Sequence, residues 1–302
     1  MIGFLNVIKP SGITSHDLVY KIRKLSGIKQ VGHGGTLDPL AQGVMVVGLG
    51  KACRLLQYLP DDKCYRAEIL LGRRTDTDDT EGSILEEKEL DASITEALIK
   101  EKLAGFVGKL IQIPPVYSAI KQGGRKLYEM ARKGEAPREL PGRPVEIHKL
   151  EVLAVELPVV VARIECSKGT YIRSIARDLG MLLGTGGCLQ GLVREQSGNF
   201  KIEEAHSIEE LTELRAEQSL SNCLVSPVEA LGLDSFEVDE AMAKRIANGQ
   251  RIALSDLDLD LNAAPEKRLF ACYRANPIAL MKLTEDSLLR PEVVLDHAIL
   301  SN

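Results

Sequence analysis

Hydrophobic and polar positions follow two periods along this chain, and each change of period marks an element. The apolar run Phe4–Ile8 stops at Lys9-Pro10-Ser11-Gly12, which predicts a strand closed by a turn. Thr14-Ser15 offers an N-cap, and Leu18, Val19, Ile22 and Leu25 then recur at helical spacing up to Gly27. Val44–Val47 predicts a second strand and Ala52 to Leu59 a helix. Tyr65–Leu71 alternates as a strand does, Ser93–Phe106 reads as an amphipathic helix, and Leu110–Ile113 is a strand cut off by Pro114-Pro115. Two long β-like runs, Val145–Val155 and Val159–Cys166, are parted by Leu157-Pro158 and are expected to pair antiparallel. The next helix places Ile175, Ala176, Leu179 and Leu182 inward and Arg177-Asp178 outward, and Gly184–Gly187 ends it. Leu189–Arg194 and a helix near Ile208–Leu214 complete this part.

From about Ser226 the pieces shorten: a helix Asp239–Asn248, a strand Arg251–Leu254, an acidic loop Asp256–Asp260, then strands Arg268–Tyr273 and Ile278–Leu283. The expected division is a larger domain over 1–225 and a small β-rich module over 226–302, in keeping with a prior of about 150 residues per domain. The chain has no internal repeat and no low-complexity tract.

Composition changes this picture little: 44% hydrophobic and 27% charged residues are ordinary for a globular protein. No apolar run approaches the ~20 residues of a membrane span, and the first thirty residues carry charges throughout, unlike a secretory signal. A cytoplasmic location is expected. The six cysteines (53, 64, 166, 188, 223 and 272) contain no CxxC and are expected to be reduced. The five histidines form no HExxH or zinc-spaced cluster, so no metal is expected. The net charge of −5 weighs against a nucleic-acid partner, yet binding responds to the field of one face. One stretch is locally basic. Val116–Val145 holds Tyr117, Ser118, Lys121, Gly123-Gly124, Arg125, Lys126, Tyr128, Arg132, Lys133, Arg138 and Arg143. It reads either as an exposed helical hairpin with solvated charges or as an arm that closes over a phosphate backbone.

Candidate chemistry gathers in Val31–Gly43, VGHGGTLDPLAQG. Glycines at this density admit backbone conformations closed to other residues. Asp38 precedes a proline, which holds it in an extended rather than helical conformation. Taken alone, this is a surface turn whose Asp bonds its own backbone, or a carboxylate presented to a substrate. Gly48–Ala52, GLGKA, is no phosphate loop, because Met45 stands at the first glycine position and Ala52 at the Ser/Thr position. Thr75-Asp76-Thr77-Asp78-Asp79 lacks the glycine placement of a calcium loop and is expected to be a solvated turn. Ser167–Arg173 forms a strand–turn–helix junction able to deliver Thr170, Tyr171 and Arg173 to a cleft.

Set side by side, six stretches resemble the TruB family of bacterial tRNA pseudouridine-55 synthases. They are NVIKPSGITSHD, GHGGTLDPLAQG, KCYRAEILLGRRTDTDDTEG, PPVYSAIKQGGRKLYEMAR, CSKGTYIRSIARDLG and, more loosely, GCLQGLVR, spanning about residues 5 to 200. The resemblance implies an α+β fold: a mixed, mostly antiparallel curved sheet with flanking helices and an inserted thumb at about 116–145. It also implies a PUA-like RNA-binding domain at the C-terminal end. By the resemblance, Asp38 is the catalytic aspartate, Tyr65 the aromatic against the target uracil and Arg173 the partner of Asp38. His33 would fill space left by the flipped nucleotide, Leu192 would line the uracil pocket, and Tyr171 would sit near the carboxylate. Lys9 and Pro10 match a motif of mainly structural role. Lys121, Arg125, Lys126 and Arg132 on the arm are expected to contact phosphates of a tRNA T-arm. Two departures stand out: Gly34 replaces a larger residue, which is expected to loosen its loop, and Val193 and Glu195 alter the usual run around Leu192 and Arg194.

The implied reaction breaks the N1–C1′ bond of a uridine, turns the uracil and rejoins it through C5. Nothing is gained or lost overall, so no redox cofactor, nucleotide or metal is required, and a monomer is expected. A single aspartate in the key loop disfavours two-carboxylate glycoside hydrolysis. The rival readings are a non-catalytic tRNA-binding or folding factor on the same scaffold and a carboxylate hydrolase acting on a nucleoside or sugar.

Overall fold

The computed structural model describes residues 1–118, 120–135, 137, 139–257 and 266–295. Its elements run β1 (Gly3–Lys9), α1 (Ser15–Ser26), β2 (Val31–His33), β3 (Gln42–Leu49), β4 (Lys63–Leu71), β5 (Arg73–Thr75), β6 (Ile84–Glu87), α2 (Glu96–Ala104) and β7 (Gly108–Gln112). Then come β8 (Lys121–Gln122), β9 (Arg125–Lys126), α3 (Leu127–Ala131), β10 (Arg143–Glu156), β11 (Val159–Cys166), α4 (Ile172–Leu183), β12 (Gly187–Ser197), β13 (Phe200–Lys201) and α5 (Ile208–Ala216). The last part holds α6 (Pro227–Leu231), β14 (Ser235–Glu237), α7 (Glu240–Ala247), β15 (Ile252–Ala253), β16 (Arg268–Tyr273), β17 (Asn276–Leu283) and β18 (Leu288–Val294).

The main sheet has the order β1-β3-β12-β4-β11-β10-β7, with β2 added on β3 and β13 on β12. All its pairings are antiparallel except β3 with β12. This is the expected mixed, mostly antiparallel α+β architecture. Strand β4 alternates strictly: Tyr65, Ala67, Ile69 and Leu71 are buried while the residues between them are not. One face is therefore apolar, and it packs on Leu18 and Ile22 of α1, Ile99 of α2, and Ile175 and Leu179 of α4. Strand β3 is buried on both faces. Met45 and Val47 join the helices' core, while Val44 and Val46 join Phe4, Leu55, Phe270, Leu280 and Val293 in a second core.

That second core explains the C-terminal module. Its five strands, ordered β14-β16-β17-β18-β15, have a core of their own around Phe236, Ile246, Leu269, Ala279 and Met281. Their outer face covers the back of β1 and β3. Arg54 Nη1 donates to the Val294 carbonyl at 3.2 Å, and the Arg268 guanidinium lies 5.2 Å from the Tyr58 ring centroid, across the same junction.

Several expectations are corrected. Ala52 to Leu59 is not an α-helix; residues Gly50–Tyr58 take the tighter 3₁₀ form. The inward stripe of α4 continues from Leu179 by four residues to Leu183, so Leu182 is 59% exposed. Arg177 does not point freely outward: it pairs with Asp78 and Asp178 and donates to the Ile113 carbonyl. The expected strand at Arg251–Leu254 shrinks to Ile252–Ala253, followed by a 3₁₀ turn. Strands β2, β5, β6, β14 and β18 carry too few alternating apolar residues to stand out in the sequence. The basic stretch is neither a helical hairpin nor all helix; it folds as the two-stranded β8–β9 ribbon and the five-residue α3. Arg138 and Asp258–Asp260 of the acidic loop lie outside the described residues.

The parallel β3–β12 contact brings Gly43 against Arg194. Gly43 has φ +104, and a Cβ there would collide with the Arg194 backbone. Gly43→Ala is expected to destabilise the fold by roughly 2–4 kcal/mol, from backbone strain and overpacking together, read as a lower urea midpoint at unchanged slope.

Candidate active site

The elements that converge on one cleft are the β2–β3 loop, the start of β4, the N-terminus of α4 and the middle of β12. The cleft has a volume of about 370 Å³. Its walls include Asp38, Lys63, Tyr65, Tyr171, Arg173 and Leu192. Asp38 opens a tight turn, with the Ala41 N–H donating to its carbonyl at 3.1 Å. The Leu37 backbone beside it is fixed both ways by Ser15 of α1, whose hydroxyl donates to the Leu37 carbonyl and accepts from the Leu37 N–H. Lys9 ends β1 beneath the loop. It is fully buried, and its ammonium donates to the carbonyls of Pro10, Ile13 and Pro39.

Arg173 joins the pieces. It stands in the first turn of α4, whose N-terminal residue Tyr171 is pinned by Gln112: the Tyr171 N–H donates to Oε1 at 2.8 Å, and Nε2 donates to the Tyr171 carbonyl. The Arg173 side chain is 6% exposed. Nη2 meets Asp38 Oδ2 at 2.9 Å, and Nη1 meets Asp79 Oδ2 at 3.5 Å. The same nitrogens donate to the carbonyls of Thr77 and Tyr117 at 2.8 and 2.9 Å. Asp38 therefore has one oxygen on the guanidinium while its side chain remains 42% exposed to the cleft.

The acidic loop is thus not a solvated turn, which corrects the sequence reading. Asp79 is buried, accepts from the Thr77 hydroxyl at 2.6 Å and from the Glu81 N–H, and faces Arg173. Burial pushes its carboxyl up, against the opposing pull of Thr77 and Arg173. Burial also pushes the Tyr65 phenol up, and the Arg194 guanidinium beside it pulls the other way. Tyr171 is raised for the same first reason. Burial lowers the ammonium of Lys63, on the cleft wall, to about 8.

The structure brings Asp38, Tyr65, Tyr171, Arg173 and Leu192 together. His33 does not line the cleft: it lies on β2, edge-on to His16 with ring centroids 6.0 Å apart. Lys121, Arg125, Lys126 and Arg132 do not line it either. Arg125 pairs with Glu135, and Lys126 and Arg132 lie over the Tyr128 ring. The arm touches the site at its base, through Ser118 on the cleft wall and the Tyr117 carbonyl on Arg173. The space at Gly34 is filled rather than loose: Leu59 and Leu56 occupy it, and the Gly34 N–H donates to the Val46 carbonyl. Glu195 pairs with Arg163 at 2.8 Å, away from the cleft wall.

Sequence reasoning missed Asp79, Gln112, Ser118 and Arg194 as parts of the site. Arg194 had a readable signal, since it follows Leu192 by two residues on a strand and shares its face. Asp79 had none, because an Asp-rich run reads as solvent-facing until its arginine partner is known.

Comparison with known proteins agrees with this architecture. Residues 23–172 match the N-terminal domain of the TruB family pseudouridylate synthases, and residues 173–231 match the tRNA pseudouridylate synthase B C-terminal domain. A Synechocystis sp. protein named tRNA pseudouridine synthase B is 42% identical over 98% of this chain and 100% of its own length. The Microcystis aeruginosa protein of that name is 44% identical with the same coverage. Among solved structures, a Cbf5–Nop10–Gar1 complex superposes with a TM-score of 0.71 at 25% identity, covering 97% of this chain and 85% of the other. An H/ACA RNP bound to a substrate RNA containing 2′-deoxyuridine gives a TM-score of 0.70 at 23% identity, covering 97% of this chain and 85% of the other.

The electrostatics beneath the Asp38 loop are testable by themselves. Burial lowers Lys9 from 10.5 to about 8, so between those values the unfolded chain binds more protons than the folded one. The contribution of Lys9 to stability therefore rises with pH across this window and is lost as pH falls through about 8. Wild-type protein should gain on a Lys9→Met variant by up to about 3 kcal/mol between pH 8 and 10.5, at ~1.4 kcal/mol per pH unit. Paired urea titrations measure it, and parallel curves for the two proteins would contradict it.

Proposed function

The chain belongs to the TruB family of pseudouridylate synthases and converts a uridine of tRNA to pseudouridine; we propose that this uridine is position 55, in the T-arm loop, and that Asp38 is the carboxylate acting on it. The observation that carries this reading is the 2.9 Å contact between a cleft-facing carboxylate and a buried guanidinium. The guanidinium holds the carboxylate by a charge-assisted contact while the Asp38 side chain stays open to the cleft. Arginine suits the position because it stays charged at every relevant pH.

A uridine in a folded loop must leave its stack to reach Asp38, at a cost of a few kcal/mol. Stacking on Tyr65 offsets part of this, at ~1–3 kcal/mol per base. Leu192 gives the uracil an apolar wall, and Tyr171 closes the side nearest α4. Asp38 then either bonds to C1′ as the N1–C1′ bond breaks and is displaced again when C5 bonds to C1′, or takes the C2′ proton as the N1–C1′ bond breaks and returns it to C2′ when C5 bonds to C1′. In both routes the uracil turns in between, C5 loses its proton and N1 ends with one. The balance closes without an external reactant.

His33, one residue before Gly34 of the cleft wall, fills space vacated by the extruded nucleotide. The arm from residue 116 to 145 serves as a thumb whose Lys121, Arg125, Lys126 and Arg132 meet phosphates. RNA is recognised largely by shape and splayed loops, which suits a T-arm substrate. The division into a catalytic domain over 1–225 and a PUA-like RNA-binding domain over 226–302 is supported by the separate sheet and core of the C-terminal module. The enzyme works as a cytoplasmic monomer.

Asp38→Asn is expected to abolish pseudouridine formation on an unmodified tRNA transcript while the transcript still binds, with the product mapped to its nucleotide. Arg173→Ala should likewise keep most of the affinity and lose most of the turnover; a wild-type rate in either variant would refute the assignment. Neutralising Lys121, Arg125, Lys126 and Arg132 together should flatten the slope of log K against log salt by roughly 2–4. An unchanged slope would remove the arm from the interface.

A further inference from the structure

Arg194 is the bulkiest fully buried side chain among the described residues, and it has no carboxylate partner among them. A lone interior cation is costly unless its hydrogen-bonding groups are satisfied. Backbone carbonyls supply the compensation: Nε donates to Val44 at 2.7 Å, Nη2 to Gly35 at 3.2 Å and Nη1 to Thr36 at 3.4 Å. Two of these acceptors belong to the loop that carries Asp38, and the third to the strand that follows it. On the other side, Arg194 is the direct cross-strand neighbour of Tyr65, and both side chains line the cleft.

We propose that Arg194 is a positioning residue: one guanidinium ties the Asp38 loop to Tyr65, so that the carboxylate and the aromatic ring are placed as a unit. This rests on the roles given above to Asp38 and Tyr65. The guanidinium fork is what the site requires, since three acceptors in three directions match its planar donors and no other side chain offers them. Gly43 serves the same link, because only glycine lets β3 pass this close to the Arg194 backbone. The pull of this cation on the phenol, opposite to that of burial, is a second expression of the coupling.

The test compares Arg194→Lys, which keeps charge without the fork, with Arg194→Gln, which loses both. Arg194→Lys should bind unmodified tRNA within about threefold of wild type and react about 10- to 100-fold more slowly in single turnover, the scale expected of a displaced reacting group. Arg194→Gln should be slower still. In Arg194→Gln, the Tyr65 ¹³Cζ resonance should titrate at higher pH than in wild type, as a guanidinium lying against the phenol requires, while the loss of rate without loss of affinity is what a merely structural role would not produce. A wild-type rate in Arg194→Lys, a loss confined to affinity, or an unmoved Tyr65 titration would overturn the proposal. Should neither variant fold, Tyr65→Phe serves instead: the Arg194 Nε–H signal should shift and exchange faster with solvent, and an unchanged signal would count against the link. These spectra need no RNA, so a wild-type protein that forms no pseudouridine would refute the functional reading separately.

Discussion

A guanidinium held almost out of water between two carboxylates organises this molecule. Arg173 cannot be buried alone, and the charges and carbonyls that satisfy it come from separate parts of the chain: Asp38 from the β2–β3 loop, Thr77 and Asp79 from the β5–β6 connection, and Tyr117 from the base of the arm. Each of these segments is irregular and has its own hydrogen bonds as well. One desolvated cation contacts all three at the N-terminus of α4. Its Nε is buried without a hydrogen-bond partner among the described residues, so the ion pairs and carbonyls on its two terminal nitrogens carry the compensation.

The sheet supplies the rigid frame for that centre. Strand β4 has one wet and one dry face, so the phase of its alternation alone aims Tyr65 at the helices and the cleft. Strand β12 is irregular against β4, with register shifts on both sides of the Leu192–Arg194 segment. Bulges of this kind re-aim side chains. Between them, Leu192 and Arg194 face the cleft that Tyr65 enters from the neighbouring strand. Lys9 and Ser15 support the Asp38 turn from beneath, one by an ammonium on three carbonyls and the other by a reciprocal pair with Leu37.

Much of this could be read from residue order. The helix at Ser15–Ser26 announced itself through Thr14 and Gly27, which form its two caps, and β4, β10 and β11 through their period of two. Asp38, Tyr65 and Arg173, which line one cleft, each sit inside a stretch resembling one family. The parts that stayed hidden depend on distant partners. Asp79 looks solvated until Arg173 arrives from 94 residues further along the chain. Lys9 looks like a surface lysine until the Pro39 carbonyl closes over it. The arm's form was also hidden, since Lys126, Tyr128 and Arg132 satisfy one another at short range and leave no periodic signal.

The junction core has a further implication. Phe4, Val44 and Val46 on one side and Phe270, Leu280 and Val293 on the other form a single apolar layer, so the C-terminal sheet is fused to the back of the catalytic sheet rather than hung from a linker. Its distance from the cleft is set by side-chain volume and does not vary as a flexible tether would. The placement of this module relative to the cleft is thus a property of the interior packing of the fold.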